Sequence, residues 1–133
     1  MKTIILSAAL AIFSFASMAQ NTLTIKITDL KQNSGIVYVS LLDAKEESVQ
    51  KIKGMVSEGV CTVMLTDIPA GTYAVQYYHD ANSNGEMDTG MFGKPEEGYG
   101  YSNDARGFMG PAKFEDQIFE ITSDLQITLK TVN

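Results

Sequence analysis

The sequence predicts an all-β protein, an antiparallel β-sandwich of about seven strands that is preceded by a cleaved signal peptide. Apolar residues alternate with polar ones at every second position in several short runs, which is the period of a half-buried strand. The runs are rich in Val, Ile, Thr and Tyr and are separated by turn-forming residues, as in antiparallel all-β domains. Residues 20–133 are enough for a single domain with its own hydrophobic core.

The first 19 residues have the three parts of a secretory signal peptide. Lys2 supplies a positive charge, residues 4–16 form an apolar run broken only by two serines, and residues 17–19 form a small-x-small cleavage site. The apolar run is too short for a good membrane span. We therefore expect cleavage after Ala19, export to a periplasm or the cell exterior, and a product that is not an integral membrane protein.

Residues 20–133 are acidic and contain a single cysteine. Without Lys2, sixteen acidic residues face nine basic ones, which is a net charge of −7. Such a surface disfavours nucleic acid as a partner, so we expect an extracellular or periplasmic ligand or protein whose identity the sequence does not give. Cys61 has no second cysteine to pair with, and its place in an alternating run predicts a buried, inert thiol.

Five stretches with alternating apolar positions predict the strands. The second follows the turn residues 33–35, and the fifth contains two runs joined by residues 122–124, which we interpret as a hairpin turn. We expect one or two further strands within residues 90–115. The predicted inward positions are Leu23, Ile25 and Ile27; Val37, Val39 and Leu41; Cys61, Val63 and Leu65; Tyr73, Val75 and Tyr77; Phe119 and Ile121; and Leu125, Ile127 and Leu129.

Two segments break the alternating pattern. Residues 43–53 have helical propensity and end at Gly54, so they predict a short helix or an irregular crossover between sheets, with Lys51 and Lys53 in solvent. Residues 90–111 are rich in glycine and contain four aromatic residues. A disordered linker would lack the aromatics, so we expect this Gly-rich lobe to pack on the domain as an ordered segment.

The residues that open the fourth stretch predict a tyrosine corner. Pro69 fixes φ at a turn, and Gly71 would permit a positive φ. Tyr73 can then bury its ring while its hydroxyl reaches a backbone group of the neighbouring link.

Residues 80–88 have the oxygen spacing of a calcium loop, and we call them the oxygen loop. Calcium takes six to eight oxygen ligands, and loops that bind it place donors at alternate positions around a glycine at the sharp turn. The twelfth position is Met91, which cannot ligate, so a further carboxylate would have to come from Glu96, Glu97 or Asp104. The predicted ligands are Asp80, Asn82, Asn84, Glu86 through its carbonyl, and Asp88, with Gly85 at the turn.

The oxygen loop has a simpler interpretation as a polar turn. Asn84-Gly85 is the preferred pair for a tight hairpin turn. Asp80 and Asp88 would then accept hydrogen bonds from loop amides and bind no metal.

His79 is the single histidine and lies beside Asp80. With the acids at residues 96 and 97 it suggests a hydrolase that acts on an extracellular polymer or peptide. Neighbouring residues in a strand point to opposite faces, and one histidine cannot build the usual zinc site. We therefore favour a structural histidine bonded to the Gly-rich lobe.

Three phrases carry a resemblance to a known family. Residues 65–75 read LTDIPAGTYAV, residues 79–85 read HDANSNG, and residues 93–103 read GKPEEGYGYSN. In this order they resemble an exported bacterial family catalogued as domain of unknown function 2141, which implies a secreted single domain and supplies no established activity. The Pro-x-Gly-x-Tyr phrase is also similar to transthyretin-like and collagen-adhesin B-type sandwiches, which implies a transthyretin-like or immunoglobulin-like fold. The oxygen loop resembles the calcium loops of B-type repeats in bacterial surface adhesins.

Three functions follow from these observations. The favoured one is an exported, non-catalytic binding module with calcium holding its loop. The alternatives are the hydrolase with His79 and nearby acids, and a purely structural domain whose loop binds nothing.

Overall fold

The computed structural model describes residues 20–83, 85 and 97–133, and the predicted signal peptide at residues 1–19 lies outside this part. The described residues form eight strands, one 3-10 turn at Ser102–Asp104 and one helical turn, α1, at Phe114–Gln117. The predicted all-β class is therefore confirmed. The strands are β1 Gln20–Thr28, β2 Ile36–Asp43, β3 Ser48–Met55, β4 Cys61–Pro69, β5 Gly71–Asp80, β6 Tyr99–Tyr101, β7 Phe119–Ile121 and β8 Leu125–Lys130.

The strands form two sheets. The first sheet has the order β4-β1-β8, and the second has the order β3-β2-β5-β6, with β7 also paired to β5. β6 pairs with residues 76–78 of β5 and β7 with residues 71–73, so these two short strands share one edge of β5.

The predicted antiparallel arrangement is wrong at one pair of strands. β1 and β8 run parallel, from Leu23 opposite Leu125 to Thr28 opposite Lys130. The predicted hairpin at residues 122–124 is also wrong, because β7 pairs with β5 in one sheet and β8 pairs with β1 in the other. Residues 122–124 therefore carry the chain from one sheet to the other.

The alternating residues meet in one hydrophobic core that both sheets line. Every predicted inward position belongs to the core cluster or packs against it from a partly buried site. Cys61 is buried within this cluster, and burial raises the pKa of its thiol, which agrees with the predicted inert cysteine.

Residues 48–55 form a strand, so the predicted helix or irregular crossover is wrong. The carboxylate of Asp43 accepts hydrogen bonds from the amides of Lys45 at 2.9 Å and Glu47 at 3.1 Å. Glu46 has a φ of 62°. This tight turn starts a hairpin between β2 and β3, and the pairing with β2 overrides the helical propensity of the charged residues.

β3 is an edge strand with lysines on its outer side. Ile52 is partly buried opposite Val39, whereas Lys51 and Lys53 are exposed. Their exposure confirms the predicted solvated lysines, and charged side chains are a common protection for sheet edges.

The tyrosine corner is confirmed, but the role given to Gly71 is wrong. The Tyr73 hydroxyl donates a 2.7 Å hydrogen bond to the carbonyl of Pro69, and the side chain is buried. Gly71 does not have a positive φ. A Cβ at Gly71 would lie 3.4 Å from the Tyr73 ring. This is a close van der Waals contact, so a small side chain at position 71 would touch the ring without displacing it.

The described part of the Gly-rich lobe is ordered, with an exposed tip. Ser102 and Ala105 are buried against the domain. Phe108 is 93% exposed and Met109 94%, so the packing expected of the lobe does not extend to these two residues. Phe92 lies outside the described residues.

No helix within 20–83, 85 and 97–133 has both the length and the apolar character to cross a bilayer.

Candidate functional site

The oxygen loop begins where β5 ends, and β5 sends its last two side chains to opposite faces. His79 pairs with the inward Val37, whereas Asp80 pairs with Ile36 on the outer side of the sheet. His79 is 3% exposed and Asp80 is fully buried. A carboxylate on the outer side of a sheet can be fully buried only if other chain segments cover it.

The oxygen loop curls around the Asp80 carboxylate. Asp80 Oδ2 accepts a 2.7 Å hydrogen bond from the amide of Gly85, and the Asp80 carbonyl accepts one from Ser83 at 3.3 Å. Ser83 and Gly85 have φ values of 55° and 81°, the left-handed conformation that lets a short loop reverse direction. The amide of the predicted turn glycine therefore points at the first predicted ligand.

A second carboxylate reaches the same loop from later in the chain. Glu97 Oε2 accepts a 2.6 Å hydrogen bond from the amide of Ala81, and the next residue, Gly98, accepts one at 2.7 Å from the His79 amide. Asp104 lies elsewhere, since its Oδ1 accepts a hydrogen bond from the amide of Lys130. Of the three acids considered for the additional ligand, Glu97 is beside the loop, Asp104 is not, and Glu96 lies outside the described residues.

The base of the loop is fixed by the link between β1 and β2. The Nε2 atom of His79 lies 2.6 Å from the Ser34 carbonyl, and because a carbonyl only accepts, Nε2 carries the proton. Ser34 Oγ in turn donates to the carbonyl of Ala81 at 3.4 Å. Gly35 has a φ of 84°, and a Cβ there would collide with the backbone of Asp80 and Ala81.

These contacts give His79 a structural role. Its ring bonds to the β1–β2 link and its backbone to the start of the described lobe at Gly98. The sequence indicated residues 33–35 only as a turn, so Ser34 and Gly35 were missed as supports of the site. No local signal in the sequence identifies them, because the contacts join residues more than forty positions apart.

The donors at the loop suit a hard cation. Asp80 and Glu97 supply carboxylates and Asn82 an amide oxygen, which are ligand types that calcium takes. Asn84, Glu86 and Asp88 lie outside the described residues. Within the described ranges no group of three or more His, Cys, Asp or Glu residues could hold a metal. A calcium site would therefore also need Asn82 and the undescribed loop residues.

The hydrolase hypothesis requires His79 and the acids to act on one substrate. The structure places the His79 and Asp80 side chains on opposite faces of β5. Two pockets, both lined by Asp43 and Tyr73, lie at the other end of β5. Neither pocket includes His79, so the described geometry gives this hypothesis no support.

Together, the two sheets and the described loop residues define a small all-β domain with a buried carboxylate, that of Asp80, at the end of a central strand. Residues 25–128 match the family described as "Uncharacterized protein conserved in bacteria (DUF2141)". The match covers most of the 133 residues, and the chain belongs to this bacterial family. No curated protein and no solved structure matches the chain.

Proposed function

We propose that this protein is an exported, non-catalytic binding module whose oxygen loop binds calcium. The observation that carries the proposal is the fully buried Asp80 carboxylate, which accepts the Gly85 amide at the centre of the curled loop. Glu97 brings a second carboxylate to the neighbouring residue, Ala81. These two carboxylates meet amides of one tight loop, and carboxylate oxygens close together are the ligands that calcium takes.

The chemistry of the donors selects calcium over other common metals. All of the proposed ligand atoms are oxygens, which disfavours zinc. Calcium tolerates the irregular geometry of such a loop, whereas magnesium needs tight octahedral coordination and gives up its water reluctantly. The lack of an acid at the twelfth position predicts weak affinity, with a dissociation constant of about 10⁻⁴ to 10⁻³ M as in extracellular modules.

The finer description of the fold belongs to the same proposal. The two sheets share one core, and β1 and β8 pair in parallel in the first sheet. Both features support a transthyretin-like or immunoglobulin-like sandwich. Export rests on the signal-peptide pattern of residues 1–19. Periplasmic and released forms are both consistent with that pattern.

A calcium titration of residues 20–133 tests the proposal. The wild-type protein should bind one calcium ion by calorimetry, and magnesium should bind more weakly. Asp80→Asn should abolish binding, since it removes the charge while keeping an oxygen that can accept the Gly85 amide. Asp124→Asn is the matched control, because Asp124 also accepts one backbone amide, that of Thr22, but lies away from the loop. An absence of calcium binding in the wild type at about 10 mM, above the expected range, would refute the proposal.

A further inference from the structure

The outer face of the second sheet carries four tyrosines on three neighbouring strands. Val37 and Val39 are buried in the core, so the alternate residue Tyr38 points outward, and the same reasoning applies to Tyr78 in β5. In β6, Gly100 faces the inner Tyr77 and leaves Tyr99 and Tyr101 on the outer side. We call these four residues the tyrosine face. The rows across the sheet read Lys53–Tyr38–Tyr78–Tyr99 and Lys51–Ser40–Gln76–Tyr101.

The rings of the tyrosine face form two pairs in one strip across β2, β5 and β6. Tyr38 and Tyr78 are stacked with ring centroids 5.2 Å apart, and Tyr99 meets Tyr101 edge to face at 6.0 Å. Strands in a sheet are about 4.8 Å apart, so the strip from β2 to β6 spans about 10 Å and the lysines of β3 extend it to about 14 Å. Each ring is partly buried, which fixes its position and lowers the entropy that binding would cost.

The hydroxyl groups of Tyr38 and Tyr99 differ from those of the core residues Tyr73 and Tyr77 in their hydrogen bonding. The Tyr73 hydroxyl donates to Pro69, and the Tyr77 hydroxyl bonds to Thr131. Among the described residues, the hydroxyls of Tyr38 and Tyr99 have no hydrogen-bond partner. These two hydroxyls are available to a ligand.

The tyrosine face has a positive end at β3, and Asp80, two residues after Tyr78, lies on the same outer side of the sheet. Lys51 and Lys53 are exposed at one end of the two rows, and the rows contain no acidic residue. Within the described part of the chain the ion pair is Lys130 with Asp29, so neither Lys51 nor Lys53 is paired there. Two unpaired lysines beside aromatic rings, within residues 20–133 of net charge −7, favour an anionic ligand at this end of the face.

We propose that the tyrosine face binds an acidic polysaccharide, an extended chain of sugar rings that carries carboxylates. The proposal rests on the binding-module function above and names its ligand class. Sugar rings have apolar C–H faces that pack on aromatic rings, and hydroxyls that can bond to Tyr38 and Tyr99. The carboxylates would pair with Lys51 and Lys53 at the end of the strip.

Two other partners fit the face less well. A stable protein interface needs about 800 Å² per partner with a largely apolar centre. These rows instead contain the polar Ser40 and Gln76 and end in two lysines. Single-stranded nucleic acid also stacks on aromatic residues, but it needs a basic groove along its backbone. Two lysines on an acidic domain do not supply one.

Binding of polygalacturonate to residues 20–133 tests the proposal. The titration is done at low salt with a chelator present, so that neither the oxygen loop nor calcium bridging contributes, and failure of the calcium proposal would not affect the result. We expect binding that weakens as salt is raised, and no binding of neutral dextran. Binding of dextran with equal affinity, tighter binding of poly(dT), or no binding of polygalacturonate would each overturn the proposal.

Variants locate the binding surface. Tyr99→Ala should weaken polygalacturonate binding about twofold to tenfold, the range expected for one aromatic contact.

The double variant Lys51→Gln/Lys53→Gln should weaken binding by a similar factor and reduce its salt dependence. Its matched control is Lys26→Gln/Lys31→Gln, which removes two exposed lysines elsewhere. Because Lys51 and Lys53 are exposed, their replacement should leave folding intact. Equal loss of binding in both double variants would overturn the assignment to the tyrosine face.

Discussion

Tyr73 and Tyr77 lie four residues apart on the inner side of β5 and fix different parts of the fold. Tyr73 closes the link between β4 and β5 through its hydrogen bond to Pro69. Tyr77 lies under β6, where Gly100 has no side chain to obstruct its hydroxyl, and bonds to Thr131 near the chain end. Both rings are buried in the shared core.

Substitutions at Tyr73 should separate the hydroxyl from the ring. Tyr73→Phe should cost about 1 kcal/mol, the net value of one hydrogen bond. Tyr73→Ala should cost about 3 kcal/mol or more, because it also leaves a cavity in the core. Urea unfolding measures both free energies. A cost below about 0.5 kcal/mol for Tyr73→Ala would be typical of a surface position and would contradict the corner.

Tyr77 should make the fold sensitive to alkali. Burial raises the pKa of Tyr77 to about 12, Thr131 opposes the shift through its hydrogen bond, and Asp104 and Asp29 add to it. The unfolded chain loses this proton near pH 10, so the stabilisation is complete below pH 10 and is lost as the pH rises toward 12. The loss should approach about 3 kcal/mol. Tyr77→Phe should remove this part of the decline in urea unfolding at pH 10 to 12. An unchanged decline in Tyr77→Phe would show that other groups cause it.

At the scale of elements, one side chain completes the second sheet. β6 and β7 pair with the two ends of β5 and leave residues 74 and 75 between them without a strand partner on that edge. Ser102 Oγ fills this gap: it accepts a 2.9 Å hydrogen bond from the Val75 amide and donates to the Gln117 carbonyl. Gln117 also bonds to Gln76 at 2.9 Å. The 3-10 turn and α1 are thereby attached to β5.

Ser102→Ala should destabilise the fold more than an ordinary serine substitution. It leaves the buried Val75 amide and Gln117 carbonyl without their partner, and each such group costs about 1 to 3 kcal/mol. Ser123→Ala is the control, because Ser123 is exposed and its change should stay within about 0.5 kcal/mol. Hydrogen exchange should also show faster exchange of the Val75 amide in Ser102→Ala. Equal stability of the two variants would contradict this role for Ser102.

The elements that the sequence predicted are those with strong alternation. β1, β2, β4, β5 and β8 turn alternate apolar residues toward the core, where they are buried or partly buried, so their period identified both the strand and its inner face. β3 was missed because its charged residues have helical propensity, and only the Asp43 turn and pairing with β2 make it a strand. The parallel pairing of β8 with β1 has no local signal, because register between distant strands depends on the path of the whole chain.

The same limit applies to the whole molecule and its site. The sequence placed Asp80 and Asn82 in the loop, and it named Glu97 as one of three acids, but the choice among them depends on where the chain returns to β5. Ser34 and the tyrosine face arise only when β2, β5 and β6 lie side by side. The sequence therefore named Glu97 beside the loop as a candidate, but it did not identify the supports Ser34 and Gly35.

The calcium dependence of thermal unfolding tests the central claim, an exported domain whose loop is held by calcium. Calcium at about 10 to 100 times its dissociation constant should add about 1.4 to 2.7 kcal/mol to the free energy of unfolding, and raise the melting temperature by about 5 to 10 °C. Chelator should reverse the shift, Asp80→Asn should abolish it, and Asp124→Asn should retain it. Equal melting temperatures of the wild-type protein in about 10 mM calcium, above the expected dissociation constant, and in chelator would contradict the claim and leave the loop as a polar turn.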